Sequence, residues 1–284
     1  MLALGVGAAL FASVLFNVGI VLQALDARGE PKSLGLRIGL LARLLRRPRW
    51  LVGFALGLIG IGPQVIAYSN APFVVVQPML SVGLLIVLAL GEHMLDERVG
   101  PNEIIGVLAI IVGVLLVAWG APSHNEVHRG WGAVLGVVGG LSAAALAPFV
   151  VRRTRFDTGM LVVVAAGCGF GATNIATKLF GDNVNLGHDV NAAVWAVVGL
   201  GMGVVATLTN MTAFQRRTAT TVVPISTAVQ TFLPIVLEPL FLRERWGSAA
   251  FDGVPLVACL VVALIGSVLI TRSRAVSELV ADAT

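Results

Sequence analysis

A chain of 284 residues that is 57% apolar and 12% charged, with a mean hydropathy of +0.93, excludes an ordinary soluble domain, which would carry roughly twice that charge fraction. The formal net charge of +4 comes without interleaved aromatic and basic residues. It marks arginines gathered beside a membrane rather than a nucleic-acid surface, so no nucleic-acid partner is expected.

Nine segments are apolar and long enough to cross roughly 30 Å of hydrocarbon as helices: 2–24, 51–70, 72–91, 104–121, 131–150, 158–180, 192–214, 221–241 and 254–271. The runs are continuous rather than alternating, which excludes a closed barrel. The first run lacks a basic leader and is too long for a signal peptide, so it reads as a permanent span. Segment 33–47 is not a span, because Arg37 and Arg43 would sit in lipid. As a helix it puts Leu34, Ile38, Leu41 and Leu45 on one face and reads as an amphipathic segment along anionic headgroups, with an irregular basic loop as the alternative. It takes the place of a span that the second half of the chain possesses. A tight turn at Asn70-Ala71-Pro72 joins the second and third spans. Cys168 and Cys259 fall within apolar runs and read as buried free thiols.

If the 25–50 loop faces the cytoplasm, 15 of the 19 Lys and Arg residues fall on the inner side, which orients the chain with its N-terminus outside and its C-terminus inside. The chain also repeats itself. Gly53, Gly57, Gln64, Ala67, Pro78 and Glu92 recur 146 positions later as Gly199, Gly203, the related amide Asn210, Ala213, Pro224 and Glu238. One insertion later, Glu97-Arg98-x-Gly100 recurs as Glu244-Arg245-x-Gly247. The copies are separated by an odd number of spans and are therefore inverted, the arrangement that supports alternating access. The expected architecture is an all-α integral membrane protein of about nine transmembrane helices in an inverted 4+5 bundle. Its divisions are 1–121 (four spans plus the cytoplasmic amphipathic segment 33–47), 131–271 (five spans) and a cytoplasmic tail, 272–284.

Candidate functional residues follow from the cost of polar groups in hydrocarbon. Thr220, Thr227, Thr231, Pro234 and Glu238 share one face of the eighth span by helical spacing, and such a stripe lines either a substrate path or a dry helix contact. Pro224 and Pro234 each free a backbone carbonyl. Lys178, with Asn174 one turn before it, falls at the same expected level as Glu238, and the two form either a gate or a structural clamp. Gln64 and Asn210, at matching places in the two copies, either bond a substrate in turn or bond a neighbouring helix. Tyr68, Gln77, Gln230 and Asn17 are weaker members of this set. Gly53, Gly57, Gly199 and Gly203, with Gly132, Gly136 and Gly140, are read with Pro78 as packing and hinge positions. His124 and His128 are four apart on one loop, where solvation outweighs metal binding. No metal site and no cofactor are expected. Two formal Gly-x-Gly-x-x-Ala matches, at Gly167 and Gly201, lie inside spans with no preceding strand and are rejected. The chain holds no Gly-x-Ser-x-Gly, His-Glu-x-x-His or phosphate-binding loop, so neither enzymatic chemistry nor ATP drive is expected.

These residues resemble the drug/metabolite transporter superfamily, EamA-like, whose halves carry an Ala-rich span, a Pro opening the next helix, a Gly-Glu or Glu-Arg turn and a Gly-rich closing helix. Here those are Ala67 to Pro78, Gly91-Glu92, Glu97-Arg98 and Gly106 to Gly113, and then Ala213 to Pro224, Glu244-Arg245, Gly253 and Gly266. The missing span resembles the nine-span, magnesium-transporter-like (NIPA) branch, whose Pro-Leu-Gly-Ala-Leu-Ser-like segment is echoed by Pro78-Met79-Leu80-Ser81. The resemblance implies a bundle of inverted repeats around a central cavity in a bacterial inner membrane. It implies export of a small organic metabolite or amphiphilic drug, with Mg²⁺ transport as the alternative. An accessory subunit that transports nothing is the reading of another class. The expected partners are the lipid bilayer and a small-molecule or ion substrate, with a homodimer left open.

Overall fold

Hydrocarbon offers no partner to a backbone N–H or C=O, so each crossing segment must satisfy its own, and the chain does so with helices. The computed structural model describes residues 2–70, 76, 79–97, 99–120, 131–151, 159–185, 187–241, 258, 261–262, 265–266 and 269. The helices are α1 (Leu2–Arg28), a 3-10 turn (Lys32–Leu34), α2 (Ile38–Leu44), α3 (Pro48–Asn70), α4 (Gly83–Leu95), α5 (Pro101–Gly120), α6 (Trp131–Val151), α7 (Gly159–Asn185), α8 (Asp189–Phe214) and α9 (Ala219–Phe241). No strand occurs among the described residues. A helix stands at eight of the nine expected spans. The ninth, 254–271, lies mostly outside the described residues, as do Ala71 and Pro72 of the expected tight turn. Ala3–Arg28, Val134–Val151, Gly159–Ala176 and Asp189–Phe214 are long and apolar enough to cross a membrane. Met79–Leu95, Pro101–Leu116 and Ala219–Leu233 are shorter apolar helices.

Local chemistry sets the helix ends. At the start of α5, Pro101 occupies the first position, where its missing N–H costs nothing. Glu103 reaches back to accept the Gly100 N–H at 2.9 Å, half of a capping box. The start of α3 is capped from another helix: Asp26 of α1 accepts the Trp50 N–H at 2.9 Å. At the end of α4, Asp96 adopts a left-handed conformation (φ 51), which a short polar side chain tolerates. The Asp96 and Glu97 N–H groups then both return to Gly91 O.

Lipid is as apolar as Leu, so close packing rather than water exclusion holds the helices together. α1 crosses α3 at Gly19 and Gly53, where a Cβ on either glycine would stand 2.5 Å from the other's carbonyl oxygen. α7 packs along α8 with Gly169 against Ala206, Gly199 against Ala176 and Gly203 against Thr173. α9 meets α7 where Gly167 admits Val229. One apolar core joins α1, α2, α4 and α5 to α8 and α9, and a second lies within α6–α8. Outward positions such as Leu58, Val197 and Leu200 are exposed and apolar, as lipid requires.

Segment 33–47 folds as a 3-10 turn and a short helix, and the face it buries against the bundle is Leu36, Leu40 and Leu44. Ile38 and Leu45 are exposed, at 77% and 52%. Apolar residues occur on both faces of this segment, and the contact with α8 selects between them. α1 packs on α3 and α4 as α7 packs on α8 and α9, so by these contacts α6 is the helix of the second half with no packing counterpart among the described helices of the first.

The glycine geometry separates two positions that look alike in the sequence. No described residue lies within 4 Å of a Cβ built on Gly57, Gly132, Gly136 or Gly140. Gly53→Ala should therefore destabilise the protein by roughly 1–3 kcal/mol through the forced α1–α3 separation. Gly57→Ala should be neutral or gain about 0.5 kcal/mol from helix propensity. Thermal unfolding of both variants in detergent checks the contrast.

Candidate functional site

Polar side chains inside the bundle gather in three places. The first is the end of the bundle where Arg28, Arg43, Arg47, Arg216 and Arg217 collect. There Glu97 is nearly fully buried, with 1% of its side chain exposed. Glu97 Oε1 accepts the Ala219 N–H at 2.7 Å and Oε2 accepts the Thr220 N–H at 2.8 Å. The Arg28 guanidinium pairs with Oε1 and also donates to Leu95 O at 3.3 Å. An acid that follows α4 thus caps the positive end of α9 across 122 positions of sequence, with its charge balanced by the end of α1. Gly91 of α4 closes the seam, since a Cβ there would stand 2.5 Å from the Thr220 methyl group.

Beside it, Glu30 is buried and holds Arg47 at 3.0 Å and Arg43 at 3.5 Å. Gln215, at the end of α8, donates to Glu30 O at 3.2 Å and Pro31 O at 3.1 Å. The Leu36 N–H donates to Thr212 Oγ1 at 2.9 Å. Trp50 Nε1 donates to Met211 Sδ at 3.2 Å. These bonds fasten the 30–50 segment to α8.

The second place is the interior of α8 and α9. Thr209, Asn210, Thr212, Thr220, Thr221 and Ser226 are all buried. Thr209 and Thr212 return their hydroxyls to their own helix, at Val205 O and Leu208 O, a common way of silencing a threonine in an apolar helix. Asn210 is different. It is 1% exposed, and its Oδ1 makes no hydrogen bond. The contacts of Gly199, Gly203 and Ala206 with α7 put Asn210, four residues beyond Ala206, on the same α7-facing side. The other buried orphan among the described residues is Gln215 Oε1, which stands against Gly35.

The third place is on α1. Ser13, which is buried, donates to Leu80 O at 2.6 Å, just before the helical turn is interrupted at Val82. Asn17 Nδ2 bonds Ser13 O at 2.8 Å. Gly83 sits directly on both side chains, with no room for a Cβ.

Of the residues singled out from the sequence, Asn210 is buried, and Gln64, Thr227, Gln230 and Thr231 are half-buried. The last three share one side of α9 by their spacing. Asn174 is exposed on α7, next to the Thr173–Gly203 contact. Pro224 is buried at the second turn of α9. Tyr68 lies in α3, Lys178 in α7, and Pro234 and Glu238 in α9, but their side chains fall outside the described set, as do Gln77 and Pro78 entirely. The Lys178–Glu238 pair thus lies outside the described side chains. Sequence reasoning missed Glu97 as a buried group, along with Arg28, Ser13 and Gln215. Glu97 was visible as part of a repeated Glu-Arg-x-Gly turn, and nothing local showed where its carboxylate goes.

Apolar helices of membrane-crossing length, close-packed through glycines around buried amides, hydroxyls and carboxylates, define an all-α multi-pass membrane transport protein. A family profile described as Magnesium transporter NIPA matches residues 2–148, more than half of the chain. The chain belongs to the NIPA magnesium transporter family, within the drug/metabolite-transporter-like membrane proteins. Two Arabidopsis thaliana proteins are similar over a shorter stretch. Probable magnesium transporter NIPA6 is 28% identical over 90 residues, 31% of this chain and 27% of that protein. Probable magnesium transporter NIPA7 is 30% identical over 90 residues, 31% of this chain and 28% of that protein. The matched stretch thus spans little more than a quarter of these curated relatives. No solved structure matches the chain.

A buried amide oxygen without a partner weakens a fold, and replacing it with an apolar group of similar volume removes that deficit. Asn210→Leu should leave thermal stability unchanged or raise it by about 1 kcal/mol. A clear loss of stability, read by thermal unfolding, would show that Asn210 is a structural strut.

Proposed function

We propose that this chain carries Mg²⁺ across the membrane by alternating access between two inverted halves, 1–121 and 131–271. The observation that carries the reading is the family match over residues 2–148, joined by relatives that are themselves named as probable magnesium transporters. This sets the cation ahead of the organic metabolite or drug that the superfamily resemblance implies. The carrier is not an enzyme and needs no cofactor. The arginine-rich end faces the cytoplasm, supported by the 15 of 19 basic residues on that side, in a bacterial inner membrane.

The chemistry of the cargo fits the polar groups present. Mg²⁺ sheds water reluctantly and is usually held with several waters still bound. Among the described residues no three His, Cys, Asp or Glu side chains come together as a metal site. A hydrated ion needs hydrogen-bond acceptors for its waters rather than a shell of carboxylates. Asn210 Oδ1, buried and unbonded, is such an acceptor, and Thr227, Gln230 and Thr231 offer more along α9. Glu238 and Lys178 belong to the outer part of the same proposed path. Gln64, Tyr68, Gln77 and Asn174 are its remaining polar members, and Pro78, Pro224, Pro234 and the glycine pairs are its hinges.

Purified protein in liposomes with an entrapped Mg²⁺ indicator should give flux well above that of protein-free liposomes. Asn210→Leu should cut it by about tenfold while the protein remains folded, the loss expected when one transition-specific contact worth ~1.4 kcal/mol is removed. Absence of flux from folded protein would overturn the Mg²⁺ reading and restore the organic solute to first place.

A further inference from the structure

We propose that Glu97 is the latch of the arginine-rich end: its carboxylate holds α9 of the second half against α1 and α4 of the first, and the path opens there when the carboxylate lets go. The inference rests on the carrier reading above, though not on the identity of the cargo.

Three observations support a latch rather than a permanent strut. First, Glu97 is bonded across the two halves. Its oxygens serve the Ala219 and Thr220 N–H groups on one side, and Arg28 pairs with it on the other. The acids nearby have contacts inside the first half: the half-buried Asp26 caps α3, the buried Glu103 accepts an N–H at the start of its own helix, and the buried Glu30 takes Arg43 and Arg47.

Second, α9 carries a replacement cap. Thr218 stands immediately before the helix, the place where a threonine oxygen ordinarily accepts an N–H of the first turn. In this structure its hydroxyl is instead 3.0 Å from Thr221 Oγ1 and accepts weakly from the Thr220 hydroxyl at 3.4 Å, and the N–H groups of residues 219 and 220 go to Glu97. When Glu97 withdraws, Thr218 can take over a first-turn N–H, so α9 need not fray when the latch opens.

Third, the contact closes over buried groups. Thr220 fits against Gly91 with no space to spare. Below it lie Val222, Val223 and Ser226, all buried, with Ser226 about 9 Å inside Thr220 at the helical rise. The neutral bonds of Thr212 and Gln215 fasten residues 30–36 to α8 rather than to α9, so they do not oppose movement of α9.

A cysteine at Ser226 reports on the opening. In a Cys168→Ala, Cys259→Ala background reconstituted in lipid nanodiscs, a membrane-impermeant maleimide should label Ser226→Cys slowly. Adding Glu97→Gln should speed labelling about tenfold, as a shift from a mostly closed population would. Arg28→Gln, which leaves both N–H bonds to Glu97 in place, should speed it by a smaller factor. Glu103→Gln, which removes an equally buried acid of the same end, should leave the rate unchanged. Labelling at the parent rate in folded Glu97→Gln and Arg28→Gln proteins overturns the latch, as does an equal rise in Glu103→Gln. If Glu97→Gln does not fold, Arg28→Gln decides alone. No cargo enters the assay. Faster labelling in protein without Mg²⁺ flux therefore removes the cargo assignment and keeps the latch, whereas Mg²⁺ flux with unchanged labelling does the reverse.

Discussion

The arrangement of the helices turns on one buried carboxylate. Glu97 is removed from water almost completely, and an ionised acid in that position must recover its lost hydration from the protein. It does so from the Arg28 guanidinium and from two N–H groups that the start of α9 cannot satisfy within its own helix. Each party cures a deficit of the other. The consequence is geometric: the end of α1, the turn after α4 and the beginning of α9 must meet at one point. The glycine at position 91, the left-handed Asp96 and the seam of apolar residues beneath are what allow the backbone to come that close.

Much of the fold is legible in the sequence because hydrocarbon is an unforgiving solvent. Continuous apolar runs find eight of the described helices, and their ends move by only a few residues for local reasons, such as the Gly100-Pro101-Glu103 start of α5. The orientation of segment 33–47 is not legible. Leu34, Leu36, Ile38, Leu40, Leu41, Leu44 and Leu45 put apolar groups on both sides, and only docking on the rest of the bundle selects the buried face. The site is harder still. Asn210 could be nominated from the cost of an amide in a span and from its matching place in the repeat, but nothing local shows whether its oxygen is bonded. Glu97 reads as an ordinary acid at a solvated turn, because its partners are 69 and more than 120 positions away.

The packing pattern also reshapes the repeat. Order along the chain equates the first span with the first span of the second half. The contacts instead equate α1 with α7, since each packs on the two helices that follow in its own half and each approaches the first of them through glycine. That pairing is also the one that inverts. α1 runs toward the arginine-rich end and α7 runs away from it, whereas α1 and α6 run the same way. Helix α6 is thus an addition to the second half, peripheral to the α1–α3–α4 and α7–α8–α9 groups. Its row of glycines, with no described neighbour, is no measure of how the two halves move against each other.

For the proposed cation carrier, arginines at one mouth pose an electrostatic problem, because each unpaired guanidinium raises the energy of a doubly charged ion nearby. The buried acids of that end bear directly on it. Glu30 takes Arg43 and Arg47, and Glu97 takes Arg28, so three of the guanidiniums gathered at that end each have a buried carboxylate beside them. Arg37, Arg46 and Arg49 are exposed on the outer side of the 37–49 segment, placed for anionic headgroups rather than for the interior. Opening the latch alters this balance locally. A Glu97 carboxylate that has left the two N–H groups of α9 presents a less compensated negative charge to the mouth than a capped one does. The same movement that clears the seam would therefore favour a cation there, which ties opening to the charge of the proposed cargo through a single side chain.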